Sequence, residues 1–230
     1  MRKMHSGSPI CIFGLTADPM TVAHREMCRM VMDNFFLHKL YVIPTVVNYH
    51  REGKEYWLSD EERVESCRSM LATLGARYES KWRVLDDEIR LKHLCQSECS
   101  DELNAEVISN RRFVHTLLDF IIRYGSTRDI VLVLGTDSYE HLRNWHQYKD
   151  ILALISRIIV FQGRDGLGHH STLDESLTVW NVNIPSKLAN VSASKVRERY
   201  VKSGKTLAHY LDDVSKLDKG RTSLEELGWS

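Results

Sequence analysis

A chain of 230 residues that is 43% hydrophobic can bury one sizeable core, which points to a single domain over residues 1–230 with a helical C-terminal part at about 190–230. Its 31 basic residues balance 31 acidic ones, which excludes the broad positive field that gathers nucleic acid, so any anion site must be local. No stretch approaches the roughly 20 apolar residues that cross a bilayer, Met1 to Pro9 leads into no signal-like run, and the five cysteines (Cys11, Cys28, Cys67, Cys95, Cys99) are odd in number and scattered, so the expected protein is soluble and intracellular, cytoplasmic or nuclear, without disulfides.

In chain order, Ile10 to Phe13 is an uninterrupted apolar run of strand length, closed by Gly14 and followed by the turn residues Thr16-Ala17-Asp18-Pro19. From Val22 to Asn34, Ala23, Met27, Met30 and Val31 recur at helical spacing, and Lys39 to Pro44 predicts the next strand. Ser59 with Glu62 makes a capping pattern that opens a helix over Asp60 to Leu74, and Trp82 to Leu85 returns to strand. The alternation continues with a helix over Arg112 to Tyr124 ending at Gly125, a strand over Ile130 to Leu134 stopped by Gly135, a helix over Trp145 to Ile155 and a strand over Arg157 to Phe161. Gly163 to Thr172 carries glycines and histidines without apolar period and reads as a loop. An apolar stretch near Val179 to Ile184 follows, then a helix over Ser192 to Ser203 and helical character around Tyr210 to Leu217. Strands alternating with helices imply a Rossmann-like α/β fold, a doubly wound parallel sheet covered on both faces.

Two short segments carry chemistry. Gly14 lets the backbone approach a ligand in the first strand-to-helix turn, and the helix after it directs free N–H groups and its positive end at that point, an arrangement suited to phosphate. Thr21 and His24 project from one face of that helix start. Near the other end, Ser194 and Arg197 stand three apart at a second predicted helix N-terminus, where hydroxyl, amides and guanidinium converge on an anion. Taken singly, Thr21 reads as a helix cap, His24 more readily as a core or surface histidine than as a ligand, and the serine segment as a cap before a solvated basic helix; their force comes from the pairing.

Together these segments, Phe13 to His24 and Val191 to Arg197, resemble the nucleotidyltransferase superfamily, whose first turn reads Gly-x-x-x-Asp-Pro before (His/Thr)-x-x-His and whose late motif reads Ile-Ser-x-Thr-x-x-Arg. Between them, Gly135-Thr136-Asp137 through Trp145 is similar to the Gly-x-Asp to Trp segment of nicotinate and nicotinamide mononucleotide adenylyltransferases. The resemblance spans roughly residues 10 to 215. It implies ATP contacts from Gly14, Thr16, Gly135, Asp137 and Ser194, with Asp137 on the ribose. His24, Thr21 and Arg197 are implied at the reacting phosphates. On the acceptor side it implies Trp145 against the pyridine ring, Phe113 and Thr116 beside it, and His50 or Arg51, here assigned as Arg51, at the mononucleotide phosphate. Arg164-Asp165-Gly166 stands where the family has Arg-Pro-Gly. On residues alone Asp137 reads equally as a helix cap, and Trp145 and Phe113 as core or rim aromatics.

The sequence departs from the family pattern at Ala17, where Phe is usual, and at Ser194, where Thr is usual; Thr21 stands where eukaryotic members commonly have Thr and bacterial members His. The implied reaction joins the adenylyl group of ATP to nicotinamide or nicotinate mononucleotide, the mononucleotide phosphate attacking the α-phosphorus. That phosphate is already ionised, so alignment and charge neutralisation suffice and no protein base is needed. Magnesium is expected on the phosphates rather than in a protein cage, and no metal site is predicted: His93, Cys95 and Cys99 lack a fourth ligand at sensible spacing. The competing readings are another adenylyl- or cytidylyltransferase of the superfamily and a non-catalytic nucleotide-binding protein on the same fold. A homo-oligomer is left open.

Overall fold

Apolar runs become buried strands when both of their faces meet helices. The computed structural model describes residues 8–45, 56–90, 113–124, 129–163 and 177–229. The chain runs β1 (Ile10–Leu15), α1 (Val22–Asn34), β2 (Lys39–Pro44), α2 (Asp60–Ala72), the short α3 (Ala76–Glu79), β3 (Trp82–Val84), α4 (Phe113–Tyr124), β4 (Ile130–Gly135), the one-turn α5 (Thr136–Glu140), α6 (Tyr148–Leu154), β5 (Arg157–Gln162), β6 (Thr178–Asn183), α7 (Ala193–Lys202) and α8 (Leu207–Asp218). The strands form one parallel sheet in the order β3-β2-β1-β4-β5-β6.

Side chains alternate between two cores along every central strand. Cys11 and Phe13, Leu40 and Val42, and Val131 and Val133 enter one core with α1, α2, α7 and α8. Ile10 and Ile12, Tyr41 and Ile43, and Ile130 and Leu132 enter the other with α4 and α6. The C-terminal helices thus belong to the same apolar cluster as the first strand, and Trp229 is buried there beside Tyr210 at 5.2 Å between ring centroids.

The short helices α3 and α5 carry no expectation from the sequence, and three other elements differ from it in bounds or type. The helix expected from Trp145 begins at Tyr148, because a 3₁₀ turn over Leu142–Asn144 ends at Trp145 and Gln147 takes a left-handed conformation (φ 52°) ahead of the helix. α2 ends at Ala72 rather than Leu74, where the Thr73 hydroxyl donates to the Met70 carbonyl. The stretch near Val179 forms the edge strand β6; an edge strand is covered less completely, so its sequence shows a weak apolar signal, although Trp180 stacks on Phe35 at 5.0 Å.

Cys11, Cys28 and Cys67 are free and buried. Burial pushes the Cys11 thiol up to about 12 and raises the other two, so all three behave as small core side chains rather than nucleophiles. Among the described residues no helix is long and apolar enough to cross a membrane. Arg51 and His50, Arg164, and the His93, Cys95, Cys99 group lie outside the described residues.

Candidate nucleotide site

Strand order decides where the site lies. β1 pairs with β2 on one side and β4 on the other, so the chain winds away in opposite directions from this pair. In open parallel sheets such a reversal leaves a crevice beyond the C-terminal strand ends. Gly14 and Gly135 stand at those two ends.

At the end of β1 the chain turns into α1, and Thr21 is the N-cap. Its hydroxyl accepts from the His24 amide at 3.3 Å, and its own amide donates to His24 Nδ1 at 3.1 Å, a capping box with histidine in the place usually taken by Glu or Gln. The reading of Thr21 as a cap is therefore correct, and the cap also fixes the histidine tautomer. With Nδ1 accepting, the ring proton sits on Nε2. Burial lowers the imidazole from 6.5 to about 4, opposed by the Asp137 carboxylate, so the ring is neutral near pH 7 and offers one N–H donor. That electrostatic coupling brings Asp137, from the first turn of α5, into the neighbourhood of His24. Asp137 does not cap α5: Gly135 holds the cap position without a side-chain bond, and a Cβ there would lie 3.0 Å from Asp137 Oδ1.

Arg197 reaches the same turn from α7. Its Nη1 donates to both the Asp18 carbonyl and Asp18 Oδ2 at 3.1 Å, and its Nη2 lies 3.4 Å from Ser194 Oγ. The cap of α7 is Ser192, which accepts from the Lys195 amide at 3.3 Å, leaving Ser194 exposed in the first turn. The tertiary fold therefore joins two segments nearly the length of the chain apart.

Aromatic side chains close the other side. A Cβ on Gly14 would come within 3.1 Å of the Phe113 ring, and Phe113 meets Trp145 edge-on at 5.2 Å. Gly14, Phe113 and Trp145 are thus in sequence of contact. Thr116, one turn beyond Phe113, is buried, and its hydroxyl donates to the Glu88 carboxylate.

Two residues to which the sequence assigned no role of their own support this turn. Arg63 is fully buried in α2, with Nη1 donating to the Thr16 carbonyl at 2.8 Å and the Thr45 carbonyl at 2.6 Å, and Nη2 to Asp60. It ties together the chain segments leaving β1 and β2. Asp18 receives the Leu58 amide at 2.9 Å as well as Arg197. An arginine on a polar helix face and an aspartate in a turn resemble many solvated residues in sequence, so neither gave a signal of burial.

Residues 12–199 match the cytidylyltransferase-like family. The chain belongs to that family. Among similar members, a probable nicotinate-nucleotide adenylyltransferase of Fusobacterium nucleatum is 25% identical over 191 residues, 83% of this chain and 86% of that protein. A probable nicotinate-nucleotide adenylyltransferase of Aquifex aeolicus is 27% identical over 150 residues, 65% and 74% of the two chains. The structure of Plasmodium falciparum nicotinic acid mononucleotide adenylyltransferase complexed with NaAD shares the fold, with a TM-score of 0.57 and 17% identity over 84% of this chain and 83% of that one.

Proposed function

We propose that this member of the family transfers the adenylyl group of ATP to nicotinate mononucleotide, giving nicotinate adenine dinucleotide and pyrophosphate. What carries the reading is the neutral, single-donor His24 at the start of α1, held by Thr21 in the crevice that Arg197 also approaches. A neutral imidazole with Nδ1 engaged by the cap offers a single fixed N–H donor to a phosphate oxygen. A phosphate oxygen of the mononucleotide forms the new bond to the α-phosphorus, the bond from that phosphorus to the bridging oxygen breaks, and pyrophosphate departs with the electron pair. His24 Nε2–H stabilises charge on the α-phosphate, and Arg197 with Ser194 takes the departing phosphates. Gly14 and Thr16 line the phosphate turn, and Gly135 and Asp137 meet the ribose.

The Phe113–Trp145 pair supplies flat faces suited to an electron-poor ring, with Thr116 behind it and Arg51 as the phosphate partner of the acceptor. The acid form of the acceptor is favoured because the similar proteins described above bear that name. Asp18 is engaged by Arg197, and the magnesium ion is proposed on the nucleotide phosphates, where it would neutralise their charge. The C-terminal helices act with the sheet as one catalytic unit, and the buried thiols suit an intracellular setting.

A pyrophosphate-release assay tests this. ATP with nicotinate mononucleotide is expected to give the highest rate, ahead of nicotinamide mononucleotide, and ATP with phosphopantetheine none. Release with phosphopantetheine, or with CTP in place of ATP, would move the chain to another branch of the superfamily. Silence with every pair would leave a nucleotide-binding protein without catalysis.

A further inference from the structure

We infer that Asp18 is the positioning residue that aims Arg197 at the phosphates, an inference that rests on the phosphate role proposed for Arg197. The Asp18 side chain is 2% exposed, yet three donors from two separate parts of the chain converge on it. Trp57 N lies 3.1 and 3.2 Å from its two oxygens, Leu58 N lies 2.9 Å from Oδ1, and Arg197 Nη1 lies 3.1 Å from Oδ2. An ionised carboxylate is the one small side chain that only accepts and offers about four lone-pair positions. The residue before it, Ala17, is buried with φ 55°, a sparsely populated conformation that persists only where the surroundings over-determine it.

The geometry divides the guanidinium into two ends. Nη1 is spent twice on Asp18, on carbonyl and carboxylate together, which fixes the plane of a rigid fork. Nη2 is left beside Ser194 Oγ, at the end of the fork away from the anchor. The partner helix α7 is located independently, since Trp57 packs against Tyr200 of α7 at 5.6 Å. A buried ion pair of this kind is weak support for stability, because desolvation offsets the attraction. Fixing the direction of Arg197 is what it accomplishes.

Charge and positioning make opposite forecasts for Asp18→Asn. The asparagine oxygen can still accept from Leu58 N and Trp57 N, but its amino group meets Nη1 donor to donor, so Arg197 keeps only the Asp18 backbone carbonyl and the direction of its fork is no longer fixed. If Asp18 acted only through its negative charge, removing that charge would tighten binding of an anion. If it aims Arg197, binding weakens.

Inorganic pyrophosphate in magnesium-free buffer is the probe, titrated by calorimetry into the full chain, the Asp18→Asn and Arg197→Ala variants and their combination, with kcat and KM for ATP measured alongside. Asp18→Asn is expected to weaken pyrophosphate binding about fivefold or more and to lower kcat by about tenfold or more, with no further loss when added to Arg197→Ala. Unchanged or tighter pyrophosphate binding, or losses that add in the double variant, would overturn the inference. A wild-type chain that binds pyrophosphate but transfers no adenylyl group would overturn the proposed reaction while leaving the binding arm decisive. Should Asp18→Asn fail to fold, Arg197→Lys decides: one ammonium cannot hold Asp18 and a phosphate in the same fork, so about tenfold weaker pyrophosphate binding is expected, and wild-type affinity would refute the role of Asp18.

Discussion

The Tyr210 hydroxyl donates to the Met20 carbonyl at 2.9 Å, so α8 holds the residue immediately before the Thr21 cap. Around this bond, Tyr210 meets Tyr200 edge-on at 5.6 Å, and Arg25 of α1 forms a two-pronged pair with Asp218 at 2.6 and 2.7 Å. The last helix is therefore tied to the turn before α1 through Tyr210 and to α1 itself through Asp218, so the geometry of that turn depends on residues near the C-terminus.

Replacing Tyr210 with Phe keeps the ring packing and leaves the Met20 carbonyl buried without its partner. A loss of about 1–3 kcal/mol in unfolding free energy is expected. Urea unfolding with an unchanged far-UV spectrum checks it, and a variant as stable as the wild type would mean that the bond contributes nothing net.

His24→Ala is expected to reduce turnover by about 10²–10³ with the fold intact, the size of effect seen when one preorganised donor to a developing charge is removed. The pH response follows from the lowered pKa. As pH falls from 6.5, the unfolded chain takes up the His24 proton before the folded one, so this residue's contribution to stability is present above 6.5, declines from there down to about 4 and is level below that. Urea midpoints measured across this window should lose part of their slope in His24→Ala. The kcat profile of the wild type should carry no limb at 6.5 from this residue; such a limb, abolished by the substitution, would show an ionisable imidazole and refute the neutral-donor role.

Trp145 is half-buried and meets Phe113 edge-on, at the position proposed to face the pyridine ring. Trp145→Ala is expected to raise KM for the mononucleotide about tenfold with little change in kcat, since ring contact is made equally before and during reaction. Trp145→Phe should recover most of the loss. Initial rates at varied mononucleotide concentration separate these outcomes, and a fall confined to kcat would place Trp145 at the phosphates instead.

Among the described residues two non-glycine positions have positive φ, and magnitudes assign them different consequences. For the exposed Gln147, exchange for Gly relieves about 1–2 kcal/mol of left-handed strain against about 0.4–1 kcal/mol of added chain entropy in the unfolded state. A net gain of about 0.5 kcal/mol is expected from thermal unfolding. For the buried Ala17, Gly also forfeits a buried methyl worth about 0.8 kcal/mol, so the terms cancel.

Residues close in the chain were legible because their signals are local. The strand runs, the Ser59–Glu62 cap and the Thr21–His24 spacing each depend on backbone geometry over a few positions, and each formed as expected. The edge strand β6 and the start of α6 were less so: one is covered too little to demand apolar residues, the other is set by a single left-handed residue.

By itself the sequence determined the alternation of strands and helices, hence a parallel sheet with two cores, and it marked the two candidate phosphate segments through residue type and spacing. Only the tertiary structure decided which donors are spent and which remain. Arg63 at the carbonyls of Thr16 and Thr45, Asp18 at Arg197, and Tyr210 at Met20 are long-range bonds between ordinary polar residues. Burial gives such residues their meaning, because in a dry interior a donor left without an acceptor is costly, and burial is a property of the packed chain rather than of any stretch of it.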